Sequence, residues 1–144
     1  MKLTTKTRYA LRALVALAQR PEGRPMALAA IARRQRIKPK YLEQIFLKLH
    51  HAKLISSKKG PGGGYMLARD SKSIRLRDIL TAVGESTAPV MCVMNKRDRY
   101  CAGISLCPMK PHWKELKKRI DQFFDEYTLA DICKESSAQK KGDK

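Results

Sequence analysis

Apolar positions along this chain change their period twice, and each change marks a boundary. Between residues 5 and 20, Tyr9, Ala10, Ala13, Leu14, Leu17 and Ala18 recur at helical spacing, with Arg8, Arg12 and Gln19 elsewhere on the wheel. Pro21, Gly23 and Pro25 end that helix, because proline cannot continue the hydrogen-bond ladder and glycine permits a turn. Leu28, Ile31 and Ala32 make the apolar stripe of a second, short helix over residues 27–35. Pro39 suits the first position of a third helix, which runs to about residue 51 and buries Leu42, Ile45, Phe46 and Leu49. Two short helices joined by a brief turn form the helix-turn-helix pattern.

Alternation then replaces the helical period. Residues 54–59 and 64–68 read as strands around Gly60-Pro61-Gly62-Gly63, which predicts a basic β-hairpin, a wing, directly after the helix-turn-helix. Ile74, Leu76, Ile79, Leu80 and Val83 predict a short strand leading into a fourth helix that packs back on the first three. Residues 85–108 have no period. Over residues 113–127 the helical rhythm returns, with Leu116, Ile120, Phe123 and Tyr127 at spacings of four, three and four. That seam, headed by Trp113, is expected to pair with a second copy of the chain; packing on its own domain is the alternative. Thr128-Leu129-Ala130-Asp131 resembles a capping box for a final short helix, and Lys134 onward reads as a fraying polar tail.

The expected fold is therefore mainly α with a small β-hairpin wing. Residues 1–84 form a winged helix-turn-helix domain and residues 85–108 a cysteine-bearing sensor loop. Residues 109–133 form a dimerisation helix and a final short helix, and residues 134–144 a disordered tail.

Composition changes this picture chiefly through charge. The 144 residues carry a net charge of +18, with 43% hydrophobic and 6% aromatic residues, as expected of a globular chain. Residues 1–80 hold 19 Lys and Arg against 4 Asp and Glu, a net of +15, whereas residues 81–144 hold 12 against 9, a net of +3. A basic half followed by a near-balanced half points to a polyanion-binding module joined to something with another task. No run approaches the roughly 18 apolar residues of a membrane span, and the first residues lack a signal peptide, so a cytoplasmic location is expected. The glycine run lacks the Gly-Lys-Ser/Thr ending of a phosphate-binding loop, and no nucleophile–base or carboxylate pair has a catalytic setting, which argues against an enzyme. In a reducing compartment, four cysteines suggest metal ligands or free thiols over disulfides.

Three segments together resemble a known family. Met1-Lys2-Leu3-Thr4 with Arg8-Tyr9-Ala10, then Tyr41-Leu42-Glu43-Gln44, then Gly60-Pro61-Gly62-Gly63-Gly64-Tyr65, are similar to the Rrf-two family of bacterial transcription regulators. The three cysteines of the following loop, Trp113, and Thr128 to Asp131 extend the match over nearly the whole chain, towards iron–sulfur regulators of the IscR, NsrR and RirA type. The resemblance implies a homodimeric winged helix-turn-helix protein that binds a palindromic operator in double-stranded DNA. It further implies control of DNA affinity by an iron–sulfur cluster at the cysteine loop, in response to iron–sulfur, redox or nitric oxide status.

Chemistry at individual positions is consistent with that expectation. Pro39 to Gln44 form the front of the recognition helix, the part that reaches base edges. Glu43 is repelled by phosphate but can accept a hydrogen bond from a cytosine amino group, with Tyr41 and Gln44 as companions; a salt-bridged surface glutamate is the alternative. Arg33, Arg34, Arg36, Lys38 and Lys40 suit phosphate contacts, and Lys58, Lys59, Gly60 and Gly62 bring the wing to phosphates or a minor groove. In the loop, Cys92-x8-Cys101-x5-Cys107 offers three thiolates for an iron–sulfur cluster of either the 2Fe–2S or the 4Fe–4S type. The absence of a Cys-x2-4-Cys knuckle argues against zinc; gating by thiol oxidation, zinc or a protein partner stays open. IscR-like members have a histidine where this chain has Lys110, and NsrR-like members an aspartate where it has Arg8. His112, two residues beyond Lys110, is the candidate substitute for that ligand, and a three-cysteine site with an open iron position closed by water or a small ligand is the alternative. Cys133 is expected to be a bystander.

Overall fold

Six helices and two strands make up the regular structure of the computed structural model, which describes residues 1–21, 24–94, 101, 103 and 105–142. In chain order they are α1 (Thr5–Ala18), α2 (Leu28–Gln35), α3 (Pro39–His51), β1 (Ile55–Lys58), β2 (Gly64–Leu67), α4 (Leu76–Ala82), α5 (Lys110–Glu126) and α6 (Leu129–Gly142). Short 3-10 turns occupy Ser71–Ser73 and Met91–Val93. Among the described residues no helix is long and apolar enough to cross a membrane.

The core forms where the apolar stripes meet. Ala10, Ala13, Leu14 and Leu17 of α1 face Ile31 and Ala32 of α2, Leu42, Ile45, Phe46 and Leu49 of α3, and Ile79, Leu80 and Val83 around α4, all buried. Alanines on α1 let the neighbouring helices lie close, because interaxial distance is set by the side chains at the contact. Burial of each large aliphatic or aromatic side chain contributes about 1.5–3 kcal/mol. The same core runs past residue 84, however, taking in Phe124 and Leu129, so α5 and α6 share it with the winged-helix half.

Both helices of the helix-turn-helix end in the same way. Arg36 follows α2 in the left-handed region at φ 54°, and Ile37 N–H donates back to the Ala32 carbonyl at 2.9 Å. Lys53 follows α3 at φ 57°, and Leu54 N–H donates to the Leu49 carbonyl at 3.0 Å. Buried Ile37 and Leu54 supply the apolar contact of this motif. Glycine would adopt these angles without strain; a cation here favours the negative end of the helix dipole instead.

The hairpin pairs Ile55 with Leu67, Ser56 with Met66, Ser57 with Tyr65 and Lys58 with Gly64, antiparallel as expected. It docks on the α1–α2 connection: Met26 and Tyr65 exchange both backbone hydrogen bonds, at 2.8 and 2.9 Å. At Gly64, with φ of +144°, an added Cβ would lie 2.4 Å from the Met26 carbonyl oxygen, so this contact requires glycine.

Two expectations are corrected. The short strand before α4 is reduced to the Ser71–Ser73 turn and a single bridge between Arg75 and Thr128, because its partner is one residue at the start of α6. The tail expected from residue 134 is helical through Gly142. Asp131 accepts the Thr128 N–H and hydroxyl at 3.0 and 2.6 Å while its own N–H donates to the Thr128 hydroxyl, which anchors the first turn of α6. On α5 the buried aromatic is Phe124. Ile120 and Tyr127 pack against the core, Trp113 is half-buried, and Leu116 (40% exposed) and Phe123 (52%) face outward.

Candidate nucleic-acid interface and cysteine segment

Burying one face of α3 dictates what the other presents. Lys40, Glu43, Gln44 and Leu47 fall at helical spacing on its exposed side, with exposed Lys38 and Pro39 at the front. No cation lies within ion-pair distance of Glu43 among the described residues, so the surface glutamate is free to meet a partner. Leu47, 62% exposed, extends this face with an apolar group suited to a thymine methyl, and the sequence reading did not single it out. Its signal was available, as the next position after Glu43 on the same face. Tyr41 is half-buried at the front of α3, with its ring edge-on to Tyr9 at 5.9 Å.

Lys58, Lys59, Gly60 and Gly62 are all exposed on the wing. Gly60 and Gly62 take φ of +92° and +73°, which the tight tip requires. Phe46 of α3 meets Tyr65 of β2 edge-to-face at 4.8 Å, so the recognition helix and the wing share one aromatic hinge pin. Arg33, Arg34 and Arg36 are exposed at the end of α2, on the same basic half.

The cysteine segment is built differently. Cys92 sits half-buried on the Met91–Val93 turn, which packs against α5, Cys101 is exposed, and half-buried Cys107 lies shortly before α5, separated from it by Pro108 and Met109. All are free thiols, so the donor set suits a thiophilic centre in kind. Yet among the described residues no three His, Cys, Asp or Glu side chains gather as a metal-binding group, and exposed His112 is not brought to them. Within the expected 85–108 loop, residues 95–100, 102 and 104 lie outside the described residues. Burial pushes the Cys133 thiol pKa up, which fits an unreactive side chain on α6.

Polar contacts fasten this segment at two places. Nearly buried Glu85 accepts from the Thr4 hydroxyl and pairs with Lys6 at 3.5 Å, reaching the start of α1. Thr87 donates to Asp121 of α5, which also accepts from Lys117 at 2.6 Å and lies 3.6 Å from Arg77 of α4. Burial would raise the Asp121 pKa, but the hydrogen bonds from Lys117 and Thr87 and the charges of Lys117 and Arg77 outweigh it and hold the carboxyl below its ordinary value. Arg77 further donates to Asp125 at 2.7 Å. Neither joint was legible in the sequence, since their partners are separated by tens of residues.

Comparison with known proteins agrees with this architecture. The family model described as Rrf2, Iron-dependent Transcriptional regulator, matches residues 3–135. The HTH-type transcriptional regulator IscR of Vibrio campbellii is 39% identical over 144 residues, covering 100% of this chain and 84% of that protein. The IscR of Yersinia pseudotuberculosis is 38% identical over 132 residues, covering 92% and 79%. Among solved structures, T. potens IscR superposes with a TM-score of 0.73 at 33% identity, over 94% of this chain and 88% of that one. CymR, the global cysteine regulator of B. subtilis, superposes with a TM-score of 0.76 at 27% identity, over 93% and 97%. Extending over nearly the whole chain, these matches agree with the exposed recognition face and wing: the chain belongs to the Rrf2 family and is a DNA-binding transcriptional regulator of the Rrf2/IscR type, not an enzyme.

Proposed function

We propose that the chain acts as a homodimer on a two-fold-related operator, and that its DNA affinity is set by an iron–sulfur cluster held by Cys92, Cys101 and Cys107, with His112 as the fourth ligand. The observation that carries the DNA half is Glu43, an exposed and unpaired carboxylate on α3 within the half of the chain that bears +15. A carboxylate there disfavours phosphate and rewards a cytosine amino group, so it converts general attraction into base preference. Lys38, Lys40, Arg33 and Arg34 hold the helix against the backbone, and Lys58 and Lys59 place the wing beside it. Met109, Trp113, Leu116, Ile120, Phe123 and Tyr127 continue one stripe at alternating steps of four and three. Its outward members Met109, Leu116 and Phe123 are available to a second α5.

When bound, the cluster supplies a redox- and nitric-oxide-reactive iron centre. The chain supplies the coupling: residues that lead into Cys92 bond to α1 through Glu85 and to α5 through Thr87, so a rearrangement of the segment bears on both the DNA-reading domain and the dimer helix. The free thiols of Cys92, Cys101 and Cys107 also fit a second reading, the same regulator gated by thiol oxidation, zinc or a protein partner.

Anaerobic purification with iron, sulfide and zinc analysis separates the two. A brown protein whose visible absorption vanishes in the Cys92/Cys101/Cys107 triple alanine variant supports the cluster. Colourless protein with stoichiometric zinc, or with no metal, supports the second reading.

A further inference from the structure

We propose that Arg12 is a positioning residue for base readout: from α1 it locks the turn between α2 and α3 and so sets the angle at which the recognition helix meets a major groove. This rests on α3 being the recognition helix. Arg12 Nε donates to Gln35 Oε1 at 3.1 Å, and its Nη2 donates to the Gln35 backbone carbonyl at 2.6 Å. Gln35 is the last residue of α2. After it the chain turns left-handed at Arg36, and the N–H groups of Arg36 and Ile37 fold back to the Arg33 and Ala32 carbonyls. The Gln35 carbonyl is therefore one of the helix-end acceptors that the turn itself leaves over, and Arg12 supplies its donor.

The same guanidinium lies 5.8 Å above the Tyr9 ring, and Tyr9 meets Tyr41 edge-to-face at 5.9 Å. Tyr41 stands in the first turn of α3. One side chain thus braces both arms of the turn, the end of α2 directly and the start of α3 through Tyr9. The contact needs the planar fork of arginine: two parallel donors and a flat face are used together, and a lysine ammonium offers neither. Arg12 differs in this way from Arg33 and Arg34, whose exposed side chains make no ion pair or hydrogen bond among the described residues and can meet phosphate.

The test uses a duplex selected by the wild-type protein from a randomised pool, and a random-sequence duplex of equal length. Affinity for both is measured across salt concentrations for wild type, Arg12→Lys, Arg12→Gln, Gln35→Ala and Glu43→Ala, with folding checked by circular dichroism. Arg12→Lys keeps the charge and loses the fork. It is expected to weaken binding to the selected duplex about tenfold, leave the random duplex within about twofold, and leave the salt slope unchanged. Gln35→Ala removes one of the two acceptors far from any charge effect and is expected to lower the selected-to-random ratio about threefold, which keeps the proposal testable if the lysine variant does not fold. Equal losses on both duplexes with a shallower salt slope for Arg12→Gln would make Arg12 a phosphate contact and overturn the proposal, as would an unchanged ratio in Gln35→Ala. Failure of the α3 reading shows separately, as an unchanged base preference in Glu43→Ala.

Discussion

The two halves of the molecule are held by different forces. Among the described residues, 19 of the 22 buried apolar side chains lie between Ala10 and Val83, and the others are Ala88, Phe124 and Leu129. The first half is fixed by close packing, which resists small displacements because every atom has neighbours on all sides. The cysteine segment and α5 add exchangeable polar contacts, Glu85 with Thr4 and Lys6, and Asp121 with Thr87, Lys117 and Arg77, to a smaller apolar contact through Ile120, Phe124 and Tyr127. Base readout needs angular precision, and the packed half provides it. Polar contacts can be replaced at small cost, which suits the sensing role proposed for the cysteine segment.

This contrast breaks most visibly at Phe46, which sits in the core and also meets Tyr65 of the wing. Phe46→Ala is expected to cost about 3–5 kcal/mol, read as a lower urea midpoint with little change in slope. Asp121→Asn is expected to cost about 1–2 kcal/mol, and to loosen α5 while the winged-helix half stays folded, visible in Trp113 fluorescence before the main transition. The pH dependence of this joint has a definite sign. The folded-state carboxyl lies below its unfolded value, so its contribution is complete above about pH 5 and is lost as pH falls below about 4 towards the depressed pKa. Acid should therefore release α5 in wild type, and Asp121→Asn should remove that dependence. Lys53→Gly relieves the left-handed backbone after α3 and is expected to stabilise by about 0.5 kcal/mol in thermal unfolding. Leu116→Gln lies on the outward face of α5 and should leave unfolding of the monomer within about 0.5 kcal/mol, while raising the dimer dissociation constant by about tenfold in sedimentation.

Much of the fold was legible because its elements are local. The helix from Pro39, its four buried residues and the glycine-rich wing follow from spacing and turn chemistry, and all are found where expected. The reading slipped where a choice depended on a distant partner. Phe123 and Phe124 are adjacent and equally apolar, and only the position of the core decides which turns inward. That Tyr41 packs edge-on against Tyr9 likewise depends on where α1 lies. The short strand before α4 carries the right residues but has only Thr128 to pair with.

By itself, then, the sequence determined the helix-turn-helix, the wing, the basic half and the thiols on one segment, since periodicity, glycine and charge act over a few residues. Tertiary structure alone decided which face of α5 is free, that Glu85 and Thr87 tie the cysteine segment to α1 and α5, and that Arg12 reaches Gln35 across the turn. Those are contacts between residues far apart in the chain, and they exist only once the core has brought the helices together.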